Sequence, residues 1–183
     1  MYTRIEAPAE MPVTLEEIKT HCRIDDTEDD TLLGALIRAA YSQAEHRTGR
    51  ALLPQTWQLD CKPGLVHMGI PLRYDTTDIV SVTWPNADGT TGALLPTDME
   101  LVDRYRLVPR TAWPDTGGAP LTIVFRCGRF ASVDAFPEDI KAWIKLHVAT
   151  LYENREAVQA GQLATMARPF VDGLLDPYVL VEV

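Results

Sequence analysis

The chain has 183 residues, 46% of them hydrophobic and 23% charged, which suits a packed core and excludes wholesale disorder. A formal net charge of −9 argues against a protein that wraps nucleic acid with a basic face, though not against a conduit that nucleic acid passes through. Three separated cysteines, Cys22, Cys61 and Cys127, contain no C-x-x-C pair, so reduced thiols are expected in place of a disulfide framework or a zinc knuckle.

Residues 1–10 lack a basic start followed by an apolar run, so no signal peptide is expected. No stretch approaches the ~20 apolar residues of a membrane helix, and synthesis in a cytoplasm without a membrane partner is expected. Residues 1–12, with Pro8 and Pro12, read as an extended arm. Thr14-Leu15-Glu16-Glu17 then forms a capping box, and Val13 and Ile18 stand at the spacing of a hydrophobic staple. A short helix follows, ending near Cys22 or Arg23. In the acidic run Asp25-Asp26-Thr27-Glu28-Asp29-Asp30, either Asp26 or Thr27 can cap a second helix over 28–48, with the acids at its positive end. Leu33, Leu36, Ile37, Ala40 and Ala44 form its apolar stripe, and Gly49 suits the position just beyond its end.

From Leu53-Pro54 to about Phe130 the pattern changes to short alternating runs. Trp57, Leu59 and Cys61 alternate, as do Val80, Val82 and Trp84, and then Leu121, Ile123, Phe125 and Cys127. Arg106-Leu107-Val108 is a further short strand, and Asn86-Ala87-Asp88-Gly89 and Asp115-Thr116-Gly117-Gly118 are turns. Pro137, Glu138 and Asp139 open a third helix ending near Asn154, with Ile140, Ile144, His147, Val148 and Leu151 on one face and Trp143 beside it. Residues 155–168 read as a linker, Pro169 to Leu175 as one or two helical turns, and Tyr178 to Val183 as an apolar, β-prone end. The fold class is α+β. Its parts are a helical core over 13–50 and 137–156, an inserted antiparallel β-sheet region over 53–130, and a flexible, extended C-terminal tail over 157–183.

The search for chemistry returns no catalytic set, no cofactor motif and no metal motif, so no enzyme and no cofactor are expected. His21, His46, His67 and His147 fall in no ligand spacing. The acidic run fails as a calcium loop: counting from Asp26, the sixth position is Thr31 where glycine is needed, and the twelfth is Ile37 where a glutamate is needed. Arg104-Tyr105-Arg106 mixes cations with an aromatic as nucleic-acid surfaces do, but a strand with a charged outward face is the better reading. A helix-turn-helix regulator built on the first two helices is the alternative function. It is opposed by Glu28, Asp29 and Asp30, which would face phosphates.

Two stretches resemble the phage head–tail connector, or adaptor, family. Leu15-Glu16-Glu17-Ile18-Lys19 through Arg23-Ile24-Asp25, the acids, Leu32-Leu33 through Ala39-Ala40 and Thr48-Gly49-Arg50 are similar to the family's opening, with Gln55-Thr56-Trp57 in place of its following Trp or Tyr strand. Pro137-Glu138-Asp139-Ile140-Lys141 through Tyr152-Glu153-Asn154-Arg155-Glu156 is similar to its closing helix. Trp113-Pro114 and Phe125-Arg126-Cys127-Gly128 resemble the longer members with a β insertion, and Leu174-Leu175-Asp176-Pro177-Tyr178 resembles the family's end. The resemblance implies a structural virion protein at the head–tail interface, assembled in the host cytoplasm. It further implies a homo-oligomeric ring of about a dozen subunits, docked under the portal protein, offering its lower surface to a stopper or tail-completion protein. Genomic DNA would pass through the bore without specific binding. On that footing the outward helix residues Arg38, Glu45, Arg47, Lys141 and Lys145 are expected at subunit interfaces. Leu174, Leu175, Tyr178, Val179, Leu180 and Val181 are expected to bind the portal, by adding a strand to a partner sheet.

Overall fold

The computed structural model describes residues 1–62, 69–154 and 171–180. The fold is α+β, with three α-helices and two antiparallel sheets among the described residues, divided into two compact units. The residues expected as a linker at 155–168, and residues 169, 170 and 181–183, lie outside the described residues.

The β unit comprises residues 1–9 and 51–131. Its eight strands among the described residues are β1 (Tyr2–Glu6), β2 (Gln55–Cys61), β3 (Ile70–Pro71), β4 (Thr76–Pro85), β5 (Thr91–Leu94), β6 (Met99–Val102), β7 (Arg106–Pro109) and β8 (Leu121–Cys127). One sheet runs β1-β2-β8-β4-β5 and the other β3-β7-β6. The expected arm is therefore a strand: β1 pairs with β2 as an edge, all five of its residues exposed. In β8 the alternation holds residue by residue, with Leu121, Ile123, Phe125 and Cys127 buried. In β4 it does not. A register shift between Ile79 and Ser81 inserts one residue, so Ile79 and Val82 point inward and Val80 is 41% exposed. The core gathers Leu59, Ile79, Val82, Leu107, Leu121, Ile123 and Phe125, with Trp57, Trp84 and Trp113 packed against it.

The helical unit comprises residues 10–50 and 132–183. It holds α1 (Leu15–Cys22), α2 (Asp30–Thr48) and α3 (Glu138–Glu153). The capping box of α1 forms as expected, with Glu17 N–H donating to Thr14 Oγ1 at 3.2 Å and Thr14 N–H to Glu17 Oε2 at 2.8 Å. Val13 and Ile18 are both buried. The start of α2 differs from expectation: Asp29 occupies the cap position without a side-chain cap bond. Asp26 instead closes a turn, its Oδ1 accepting Glu28 N–H at 3.2 Å, which leaves Asp26 and Thr27 outside the helix. Gly49 sits beyond α2 at φ 70°, a left-handed position that favours glycine. Ile18, Leu33, Ile37, Ala40, Tyr41, Ala44, Ile140, Trp143, Ile144 and Val148 are buried in this unit.

Candidate interaction surfaces

Within the helical unit several charged side chains hold elements together. Glu17 serves twice. Besides capping α1, its Oε1 accepts from Lys145 Nζ of α3 at 2.8 Å. The lysine hydrogen bond foremost, and then the Thr14 backbone N–H, hold its carboxyl below the usual glutamate range. Lys19 pairs with Asp30 at 2.8 Å, and Tyr152 of α3 donates to Asp29 Oδ2 at 2.6 Å. Both bonds tie the acidic turn to neighbouring helices.

A second network joins α2, α3 and residues 171–175. Arg47 pairs with Asp172 at 2.9 Å, and its guanidinium lies 5.8 Å from the centre of the Trp143 ring. Trp143 Nε1 donates to Asp172 Oδ1 at 3.3 Å. The His147 ring stacks on Trp143 at 4.6 Å, with Nε2 at 2.8 Å from Gln43 Oε1. His147 is thus a groove histidine built into the α2–α3 seam.

These contacts place the expected interface residues. Lys141 pairs with Glu138 one turn away at 2.8 Å, and Arg47 and Lys145 have the partners just given. Glu45 is not outward. It is 7% exposed and accepts from Tyr41 Oη at 2.8 Å, because Tyr41, Glu45 and Thr48 continue the buried stripe of α2 at helical spacing. Arg38 is exposed and makes no ion pair among the described residues. It borders a shallow apolar groove lined by Met11, Val13, Leu15, Gly34, Ile37 and Val133.

The described part of the expected tail is held by its own unit. Residues 171 and 172 are helical, a 3₁₀ turn spans Asp176–Tyr178, and Leu175 is 2% exposed, with Leu174 half-buried. Arg50 Nε donates to Tyr178 O at 2.9 Å, and Leu180 N–H donates to Thr48 O at 3.0 Å, satisfying a carbonyl that the end of α2 leaves without a helical partner. Partial burial, then the charge of Asp139, raises the Tyr178 hydroxyl above its ordinary value. Val179 remains exposed, and Val181 lies outside the described residues.

In the β unit the hairpin between β6 and β7 turns on Asp103 and Arg104, at φ 53° and 58°, with Tyr105 N–H donating to Val102 O at 3.2 Å. Two successive left-handed residues make a type I′ turn, usually built from asparagine and glycine. This was not legible in the sequence, where Asp-Arg carries no such signal. Beside the turn, the Tyr74 and Tyr105 rings lie 4.6 Å apart, Arg106 donates to Tyr105 Oη at 2.9 Å, and the Arg73 guanidinium sits 4.4 Å from the centre of the Trp57 ring. Arg104, expected on a strand, stands at the exposed tip of the turn.

Among the described residues no group of three His, Cys, Asp or Glu side chains could hold a metal ion, and no helix is long and apolar enough to cross a membrane. The molecule belongs to the class of α+β proteins whose polar side chains brace elements and whose prominent features are edges, tips and turns.

Residues 12–77, about a third of the chain, match the model of the phage gp6-like head-tail connector protein family. The opening that resembled that family is thus matched in sequence, and the match is to a structural connector family and not to enzymes. Among solved structures, a chain in the virion of a native gene transfer agent particle shares the fold with a TM-score of 0.79 at 24% identity, covering 100% of this chain and 97% of that one. A chain in the neck of an empty gene transfer agent particle, computed with C6 symmetry, gives 0.77 at 23% identity with the same coverage. A third, in the neck of the native particle computed with C12 symmetry, gives 0.76 at 23% identity, again covering 100% and 97%. No curated protein matches the chain.

Proposed function

We propose that the chain is the adaptor subunit of a virion neck, closing with its copies into a ring of about a dozen that joins the capsid portal to the tail. The observation that carries this reading is the agreement over the full length with the fold of chains in particle necks computed with C6 and C12 symmetry, on a sequence whose opening matches the model of a connector family. The ring docks under the portal protein and offers its other surface to a stopper or tail-completion protein. Genomic DNA passes through the bore without specific binding, and the net charge of −9 supports a channel that does not retain it. Assembly takes place in the host cytoplasm.

Portal contact is assigned to the C-terminal segment. Exposed Val179 reaches the partner, while Leu174, Leu175, Tyr178 and Leu180 shape the segment that carries it; Val181, outside the described residues, is assigned to the same contact from its place in the sequence. Among the interface residues expected from sequence, Arg38 is the most available, because Arg47, Lys141 and Lys145 have partners and Glu45 is buried. The test is the light-scattering mass of the purified chain, alone and mixed with the portal ring of its own particle. A gain in portal mass of one full ring of subunits is expected. A chain that stays monomeric and never joins the portal would sink the reading.

A further inference from the structure

A ring of identical subunits needs two different, mutually complementary faces on each copy. We propose that these faces include the arginine corner of the β unit, Arg104 and Arg106, and the acidic turn of the helical unit, Asp25, Asp26 and Glu28, one copy's corner pairing with the next copy's turn. The proposal rests on the adaptor reading and names the contact that closes its ring.

The corner is built to present cations. Arg104 is exposed at the tip of the hairpin, and its carbonyl is fixed by Thr76 N–H at 2.9 Å. It forms no ion pair among the described residues. Half-buried Arg106 is oriented by Tyr105 Oη and lies 5.4 Å from the centre of the Tyr105 ring, which is backed by the tilted Tyr74 ring. The nearby acids offset these charges only in part. Asp75 is buried and faces Arg129 at 3.8 Å, exposed Glu100 faces Arg110 at 3.8 Å, and exposed Asp103, beside the pair, balances one of the two arginines. Two non-glycine residues in left-handed geometry hold the tip in a form that sequence preference does not explain.

The turn presents the opposite sign. Asp25, Asp26 and Glu28 are exposed and make no ion pair among the described residues. Neighbouring groups are already committed: Lys19 to Asp30, and Asp29 to the Tyr152 hydroxyl. Arg23 is the one exposed cation beside them in sequence. Carboxylates on a fixed turn are suitable acceptors for guanidinium forks, which bind them in paired, charge-assisted hydrogen bonds. A duplex phosphate backbone is the other polyanion the corner could meet. The same chain's exposed acids and net charge of −9 disfavour it.

The experiment reverses each face and then recombines them. Arg104→Glu with Arg106→Glu forms one variant, and Asp25→Arg, Asp26→Arg with Glu28→Arg the other. Ring mass is read by light scattering, alone and on the portal ring. Each variant by itself is expected to lose the ring. An equal mixture is expected to regain it, because every interface in an alternating ring again joins opposite signs. That recovery also shows that both variants fold. Rings that form normally from either variant would overturn the pairing and leave the adaptor reading intact, as would loss without recovery in the mixture. An arginine variant that assembles normally but no longer retains duplex DNA would reassign the corner to nucleic acid. A wild-type chain that assembles under neither condition would sink the adaptor reading itself, and the pairing with it.

Discussion

Single positions in this protein are constrained by what lies one or two atoms away. Gly92 pairs with Trp84 across β4 and β5, and a Cβ built there would fall within the Trp84 indole. Gly92→Ala must displace that ring from the core it covers, and a loss of about 1–3 kcal/mol in thermal or urea unfolding is expected. Glu17 shows a different constraint. Its carboxyl is held below the usual range by Lys145 and by the Thr14 N–H. A depressed carboxylate stabilises the fold above its unfolded pKa, about 4.3 for glutamate. That contribution is lost as pH falls through the lower folded value. Glu17→Gln is therefore expected to lower the melting temperature at neutral pH and to flatten its decline in acid, as read by melting curves from pH 7 to pH 3. An unchanged acid limb would refute the role. Glu45 marks the limit of residue-level reading: its type says surface, but Tyr41 one turn before it supplies the partner that makes burial tolerable.

Helices and strands were legible where local rules agree with each other. The capping box at Thr14, the glycine after α2 and the proline before α3 mark those boundaries by their own chemistry. β8 was readable because strict alternation over seven residues needs no outside information. β4 was not, since a bulge is chosen by the neighbouring strand's register and leaves no mark in a list of apolar residues. Nor was β1, whose fully exposed residues look like an arm until β2 offers its edge. The end of α2 gives a prediction at this scale. A Cβ at Gly49 would meet Leu180 Cδ1 at 3.4 Å, and φ is +70°. Gly49→Ala is expected to cost about 1 kcal/mol. It should also speed hydrogen exchange at the Leu180 amide, which is bonded to Thr48 O. Unchanged exchange there would show that the C-terminal segment does not depend on this cap.

At the level of the whole molecule, function is a matter of surfaces meeting other chains. Portal docking through the C-terminal segment predicts that Val179→Asp, at an exposed position, abolishes binding to the portal ring while leaving the melting temperature and the subunit ring unchanged. Binding that survives would move the portal contact elsewhere. Deleting the segment from residue 176 is a poorer test, because Tyr178 and Leu180 also brace the end of α2.

The sequence by itself determined the α+β class, the three helices, the main strands and the connector resemblance. Each of these rests on periodicity, capping or turn chemistry that acts within a few residues. Only the tertiary structure decided which charges remain available. Arg47 and Lys145 are expected from the sequence as outward cations, and each is paired with an acid from another element, as is Lys19. The hairpin that lifts Arg104 to an exposed tip is likewise invisible in the chain order. Ion pairs and strand registers join residues far apart in sequence, so the surface left for partners is known only once those pairings are made.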